Sequence, residues 1–224
     1  MKRSARNRSS VAMVAVGSLL TASCVPIETT VAPEVSIQQN VQVPETIRVT
    51  VGPRRLIEDI SKRILHLDAT IEFADPLDVR DTMFPDGGWF LSELMLSTRC
   101  TRVHSELGID FVVLLGTLEY QDNIQGHYMP GAFGAMSGPE SSSFGAYILD
   151  MARNRLACTI EADARGEQKL GMIGFYGYFV DPQTEEAVLD GVANAIVNTV
   201  GEESGNNAVR IAVLAAEARS IVRR

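Results

Sequence analysis

Residues 109–115 read Ile-Asp-Phe-Val-Val-Leu-Leu, with one polar residue in seven. The run is too short for a membrane helix and rich in β-branched side chains. Such a segment is expected as a central strand buried on both faces of a sheet, because a strand with one wet face would alternate polar and apolar residues. A chain built around it must supply neighbouring strands and apolar cover.

The flanking sequence offers both. Ile47, Val49 and Val51 alternate with Arg48 and Thr50, the period of a half-buried strand. Short strands are also expected at 70–73 and at 144–150. In the following strand, Leu156, Cys158, Ile160, Ala162 and Ala164 face one way, with 151–155 as the hairpin turn. Residues 171–179 alternate Gly with Ile, Phe and Tyr and predict a further strand. Helical spacing appears in Ile57, Ile60 and Ile64, and in Leu96, Cys100, Val103 and Leu107, where Gly108 is a natural stop. It appears again in Leu189, Val192, Ile196 and Val200. Ile211, Leu214, Ala218 and Ile221 predict a last helix over 208–222, with Arg223 and Arg224 complementing its dipole. Residues 74–89 and the glycine-rich stretch 122–142 read as loops. The expected class is α+β, a single mixed β-sheet with helices packed on a face, formed by residues 45–224.

The N-terminus carries an address. Lys2, Arg3, Arg6 and Arg8 precede an apolar stretch at 11–20, too short to span a bilayer comfortably. Leu20-Thr21-Ala22-Ser23-Cys24 follows. This resembles the bacterial lipoprotein signal, in which a cysteine after small residues is lipidated on cleavage. The leucine usual three places before the cysteine is Thr21 here, with Leu20 one place further back. The expectation is a signal peptide over 1–23, a lipid anchor on Cys24 and a flexible tether to residue 44 punctuated by Pro26, Pro33 and Pro44. Val25 stands where Asp would favour inner-membrane retention, so the outer membrane, facing the periplasm, is the expected site.

Cleavage removes four cations and no acid, taking the formal net charge from −8 to −12. That excludes nucleic acid as a natural partner, since its affinity comes from cationic contacts to phosphate. With Cys24 acylated, Cys100 and Cys158 remain, and the pattern favours two buried thiols over a disulfide.

The Leu-Gly-Ile-Asp-Phe-Val-Val-Leu-Leu-Gly stretch at 107–116, Ala-Tyr-Ile-Leu-Asp at 146–150, the strand at 156–164 and the helix at 183–200 give a layout over 46–200. It is similar to the periplasmic domain of the curli-secretion lipoprotein family and of the lipoproteins that activate penicillin-binding proteins. That domain is related to the N-terminal domain of the Tol-system propeller protein. The resemblance implies a domain that docks other envelope proteins. Pore-forming members carry membrane hairpins of alternating apolar residues, which 122–142 lacks, so no pore is expected.

Chemistry-bearing patterns are sparse. There is no Gly-x-Ser-x-Gly elbow, phosphate loop, dinucleotide fingerprint or zinc spacing, and no cofactor or metal is expected. His66 with Asp68, His104 near Glu106, and His127 read as surface residues. An envelope hydrolase acting on cell wall or lipid needs convergent carboxylates, with Asp75, Asp78 or Glu119 near His104 as candidates. A ligand-binding lipoprotein needs a closed apolar pocket. The favoured expectation is non-enzymatic: docking of an envelope protein or self-assembly, through Asp78, Arg80, Asp81, Phe84 and Asp86. Phe84, Trp89 and Phe90 beside these charges suit a docking patch, although Trp89 and Phe90 are more often expected to anchor the start of the following helix in the core.

Overall fold

A computed structural model describes residues 33–40, 46–50, 52–122, 125–126, 133–173, 176–179, 183–205 and 208–218. The signal peptide, Cys24, the first part of the tether, His127, Arg223 and Arg224 lie outside them.

The described residues form strands β1 (Glu34–Asn40), β2 (Thr46–Thr50), β3 (Ile71–Phe73), β4 (Phe90–Ser92), β5 (Phe111–Leu115), β6 (Glu119–Asp122), β7 (Gln125–Gly126), β8 (Phe133–Asp150), β9 (Arg155–Ile173), β10 (Tyr176–Phe179) and β11 (Val209–Ala218). The helices are α1 (Arg54–Leu67), α2 (Pro76–Met83), α3 (Glu93–Leu107) and α4 (Gln183–Ser204). The strands make one sheet in the order β1-β9-β8-β5-β11-β2-β4. β6 and β7 also pair with β8, β10 with β9, and β3 with β11. β11 runs parallel to β5 and β3, and the other pairs are antiparallel. The expected α+β architecture with one mixed sheet is what the chain forms, and its helices are distributed over both faces.

The apolar run of β5 explains that distribution. All five of its residues are buried. Phe111, Val113 and Leu115 enter a core beneath α1 and α4, with Ile60, Ile64, Ile148, Ile160, Val192, Ile196 and Ile211. Val112 and Leu114 enter a second core with Val79, Met83, Cys100, Val103, Leu149 and Leu214 of the opposite face. Each fully buried aliphatic side chain contributes about 1.5–3 kcal/mol relative to exposure. Arg63 of α1 ion-pairs with Glu186 and Asp190 of α4, tying together the two helices of the first face.

Four expectations change. Residues 209–218, expected as helix, are strand β11, between β5 and β2. Ile211 and Val213 enter one core while Ala212, Leu214 and Ala216 enter the other, the two-residue alternation of a strand. The tether is structured in part, because Glu34–Asn40 pairs with residues 159–165 of β9. The loop expected at 122–142 is strand from residue 133 onward, as the first half of β8. The loop expected at 74–89 contains helix α2, capped by the Asp75 carboxylate, which accepts the Leu77 N–H at 2.8 Å.

The hairpin at 151–154 forms as expected, with Asn154 at φ 54°. Its strands carry a bulge. Ile148 pairs with Cys158 but Leu149 pairs with Leu156, leaving Ala157 as the extra residue. The bulge reverses the alternation, so Leu156 joins the second core while Cys158, Ile160, Ala162 and Ala164 stay in the first. Gly52, at φ +51°, allows the β2–α1 turn to pass β11, since a Cβ there would sit 2.0 Å from the Ala215 Cβ.

Candidate docking surface

The structure divides the expected docking residues. Asp78, Arg80 and Asp81 lie on α2, just after its Asp75-Pro76 start. Asp78, Asp81 and Asp86 are exposed. Phe84 is a correction: at 5% exposure it belongs to the second core rather than to a surface. The Arg99 guanidinium lies 5.1 Å from its ring centroid and donates to the Met83 carbonyl, fixing the end of α2 against α3.

Trp89 and Phe90, expected to anchor the start of the helix, face outward instead, at 37% and 42% exposure. The backbone, not the ring, holds Trp89 in place, since its carbonyl accepts the Val49 N–H at 2.7 Å. Pairing of β2 with β4 then continues through Arg48 and Phe90. Arg80 lies over the Trp89 ring at 5.6 Å from its centroid and donates Nε–H to Asp81 Oδ1 at 2.6 Å. Arg80, Asp81, Phe84, Gly87 and Trp89 line a recess of about 250 Å³. The recess thus presents an indole with a guanidinium over its face and one carboxylate beside it, next to the edge strand β4.

A larger groove, about 750 Å³, runs beside the start of α2. Ile57, Leu65, Phe73, Leu77 and Val213 give it apolar walls, and Arg54, Glu58, Lys62 and Asp75 add charge. It is formed by α1, β3, α2 and β11, elements distant in sequence, so no local pattern announces it.

The hydrolase candidates do not converge. Asp75 caps α2 and lines the large groove, while Glu119 lines a separate polar recess with Ser141, Ser143, Asp163 and Arg165. His104 sits at the end of α3, its Nδ1 3.0 Å from the Ile109 carbonyl oxygen. Asp68, paired in the sequence reading with the exposed His66, accepts from the Thr70 hydroxyl and N–H, which hold its carboxyl below the ordinary range. No cluster of three metal-ligating side chains occurs among the described residues.

Sequence reasoning missed Glu140. It is 4% exposed and accepts the Thr184 N–H at 3.3 Å, placing a carboxylate at the start of α4. Ser142 and Thr184 join hydroxyls 3.0 Å apart beside it. Its position in an expected loop gave no hint of burial.

Cys100 and Cys158 are free and buried, as expected. They lie in different cores, on opposite faces of the sheet. Burial pushes the Cys100 thiol up to about 12 and raises that of Cys158. Compared with models of known families the chain matches none, and no curated protein matches it.

Proposed function

We propose that this chain is a non-enzymatic lipoprotein of the cell envelope, anchored through Cys24, whose domain docks a protein with a basic surface. The observation that carries the docking is the exposed Trp89 beneath Arg80. Trp and Arg are enriched among the few residues that carry most of the binding energy of protein interfaces. Asp81 lines the recess with Arg80 and Trp89 and pairs with the Arg80 guanidinium, Asp78 is exposed on the same helix, and Asp86 is exposed in the turn that follows it. The surplus is acidic and favours a cationic partner. The N-terminal signal supports the location, and the resemblance to envelope docking domains supports the role.

A photo-crosslinking residue at position 88, exposed beside Trp89 with open space around an added side chain, tests this in cells. The expected result is a discrete adduct with one envelope protein, lost when Asp78, Asp81 and Asp86 are replaced by Asn. Trp89→Ala is expected to weaken binding of that protein by about 2 kcal/mol, roughly 30-fold. Absence of any adduct from position 88, with Trp89 intact, contradicts the reading.

A second reading is favoured by the length of β8 and β9. Residues 133–139 pair with 167–173, and β7 and β10 widen this part to a four-stranded ribbon. The expectation against a pore rests on the missing apolar alternation in 122–142, and that stretch, though strand from 133, still carries Pro139 and Glu140. The sequence of 170–179 has no charge and three glycines. Such a ribbon suits insertion into a bilayer as one sector of a multi-copy barrel. Leakage of dye from vesicles on adding the protein supports this reading, and intact vesicles oppose it.

A further inference from the structure

The two ends of the sheet are protected very differently. β4 is three residues long and runs directly into α3, which leaves little edge to pair with. β1 is seven residues of Glu-Val-Ser-Ile-Gln-Gln-Asn. It has no Lys, no Pro and no bulge against β9, the devices by which edge strands ordinarily resist pairing. Among the described residues, β9 is its one strand partner.

β1 also has a half-covered apolar side. Val35 and Ile37 pair with Ala164 and Ala162, whose side chains belong to the core under α4. They lie against α4 at Gly191, where an added Cβ would fall 2.9 Å from Ile37 Cδ1 and 3.5 Å from Val35 Cγ1. Yet they remain 39% and 42% exposed. Apolar side chains seated on a helix but still wet at a sheet edge gain further burial if the sheet continues.

We infer that β1 pairs antiparallel with β1 of a second copy of this chain, on a two-fold axis through Ile37. The strand is complementary to itself in that register. Ile37 faces Ile37 of the second copy, Ser36 faces Gln38, Val35 faces Gln39, and Glu34 faces Asn40. Glu34, the only charge, meets a neutral amide in each copy, so no like charges are opposed. The axis stands perpendicular to the sheet. Both α4 helices therefore lie on the same side, with Val35 and Ile37 of the two strands between them. The interface is isologous, as a two-fold dimer requires, and β-augmentation supplies its main-chain hydrogen bonds. This inference uses a different surface from the Trp89 recess and does not depend on it.

The test is disulfide trapping in the full-length chain, in its membrane, with copper phenanthroline. Ile37→Cys alone, and a mixture of Ser36→Cys with Gln38→Cys chains, are expected to give a dimer on non-reducing gels. Opposed residues in this register meet the Cα spacing a disulfide needs, about 4.4–6.8 Å. Glu34→Cys alone is expected to give none, because its two copies lie about 20 Å apart, six residues at about 3.4 Å each. These positions are on a strand surface, so folding is retained, and circular dichroism of each variant checks it. No dimer from position 37 overturns the inference. So does equal trapping at 34 and 37, which indicates a parallel pair, and so does an adduct of a different mass, which indicates another protein. The unsubstituted chain reports separately on the anchor: a dimer through Cys24 there counts against lipidation and leaves the comparison of 34 with 37 readable by subtraction.

Discussion

Phe84 and Trp89 exchange the roles their sequence context suggests. Both lie near the Pro85-Asp86-Gly87-Gly88 turn, and local sequence does not say which ring turns inward. The choice is made by α3, whose Arg99 binds the Met83 carbonyl and covers Phe84, and by β2, which takes up the Trp89 backbone and leaves its ring outside. The thiols were more legible, because helical spacing for Cys100 and strand alternation for Cys158 each implied a buried face. Their chemistry follows from that burial. Desolvation favours the neutral thiol, so Cys100 in the folded chain titrates near 12, above about 8.5 for an unfolded cysteine. Its folded value is raised, so its contribution to stability is complete below about pH 8.5 and is lost as pH rises towards the folded value. At pH 8 the folded chain is expected to hold about a thousandfold less Cys100 thiolate than the unfolded chain. Iodoacetamide with peptide mapping checks this: Cys100 should label slowly in buffer and rapidly in urea, and equal rates would place the thiol at the surface.

Among the elements, those whose neighbours in sequence are also neighbours in space could be read directly. The isoleucine stripe of α1, the stop at Gly108, the buried β5 and the 151–154 hairpin all follow from local pattern. β11 did not, for a physical reason. The run Ile-Ala-Val-Leu-Ala-Ala at 211–216 is apolar at every position, and a segment buried on all sides satisfies a period of 3.6 as readily as a period of two. Its alanines and leucine favour helix intrinsically, but the slot beside β5 overrides that preference. β1 was hidden in a similar way, since its polar alternation resembles a linker until β9 is there to pair with it. The placement of β11 predicts its dynamics. Residues 211–215 pair with β5, and the amides of this stretch that bond to β5 should exchange only on global unfolding, among the slowest in the chain. Hydrogen-exchange mass spectrometry checks this, and rapid exchange, as in a fraying terminal helix, would contradict a central strand.

For the whole molecule, the legible part was the fold class, and the illegible part was the surface. Core positions repeat with the period of their element, whereas the 750 Å³ groove is assembled from segments far apart in sequence, and the Trp89 recess, though it lies within residues 80–89, depends on which ring α3 and β2 leave outside. In the proposed arrangement an acyl anchor on Cys24 would hold the acidic domain at a membrane that its own charge would avoid, leaving docking to the exposed recess. The direct test is mass spectrometry of the protein purified from the membrane fraction, wild type beside Cys24→Ser. The expected result is a mature chain that begins at an acylated Cys24 and a variant that carries no lipid and leaves the membrane. An unacylated wild-type chain recovered in soluble form would contradict it.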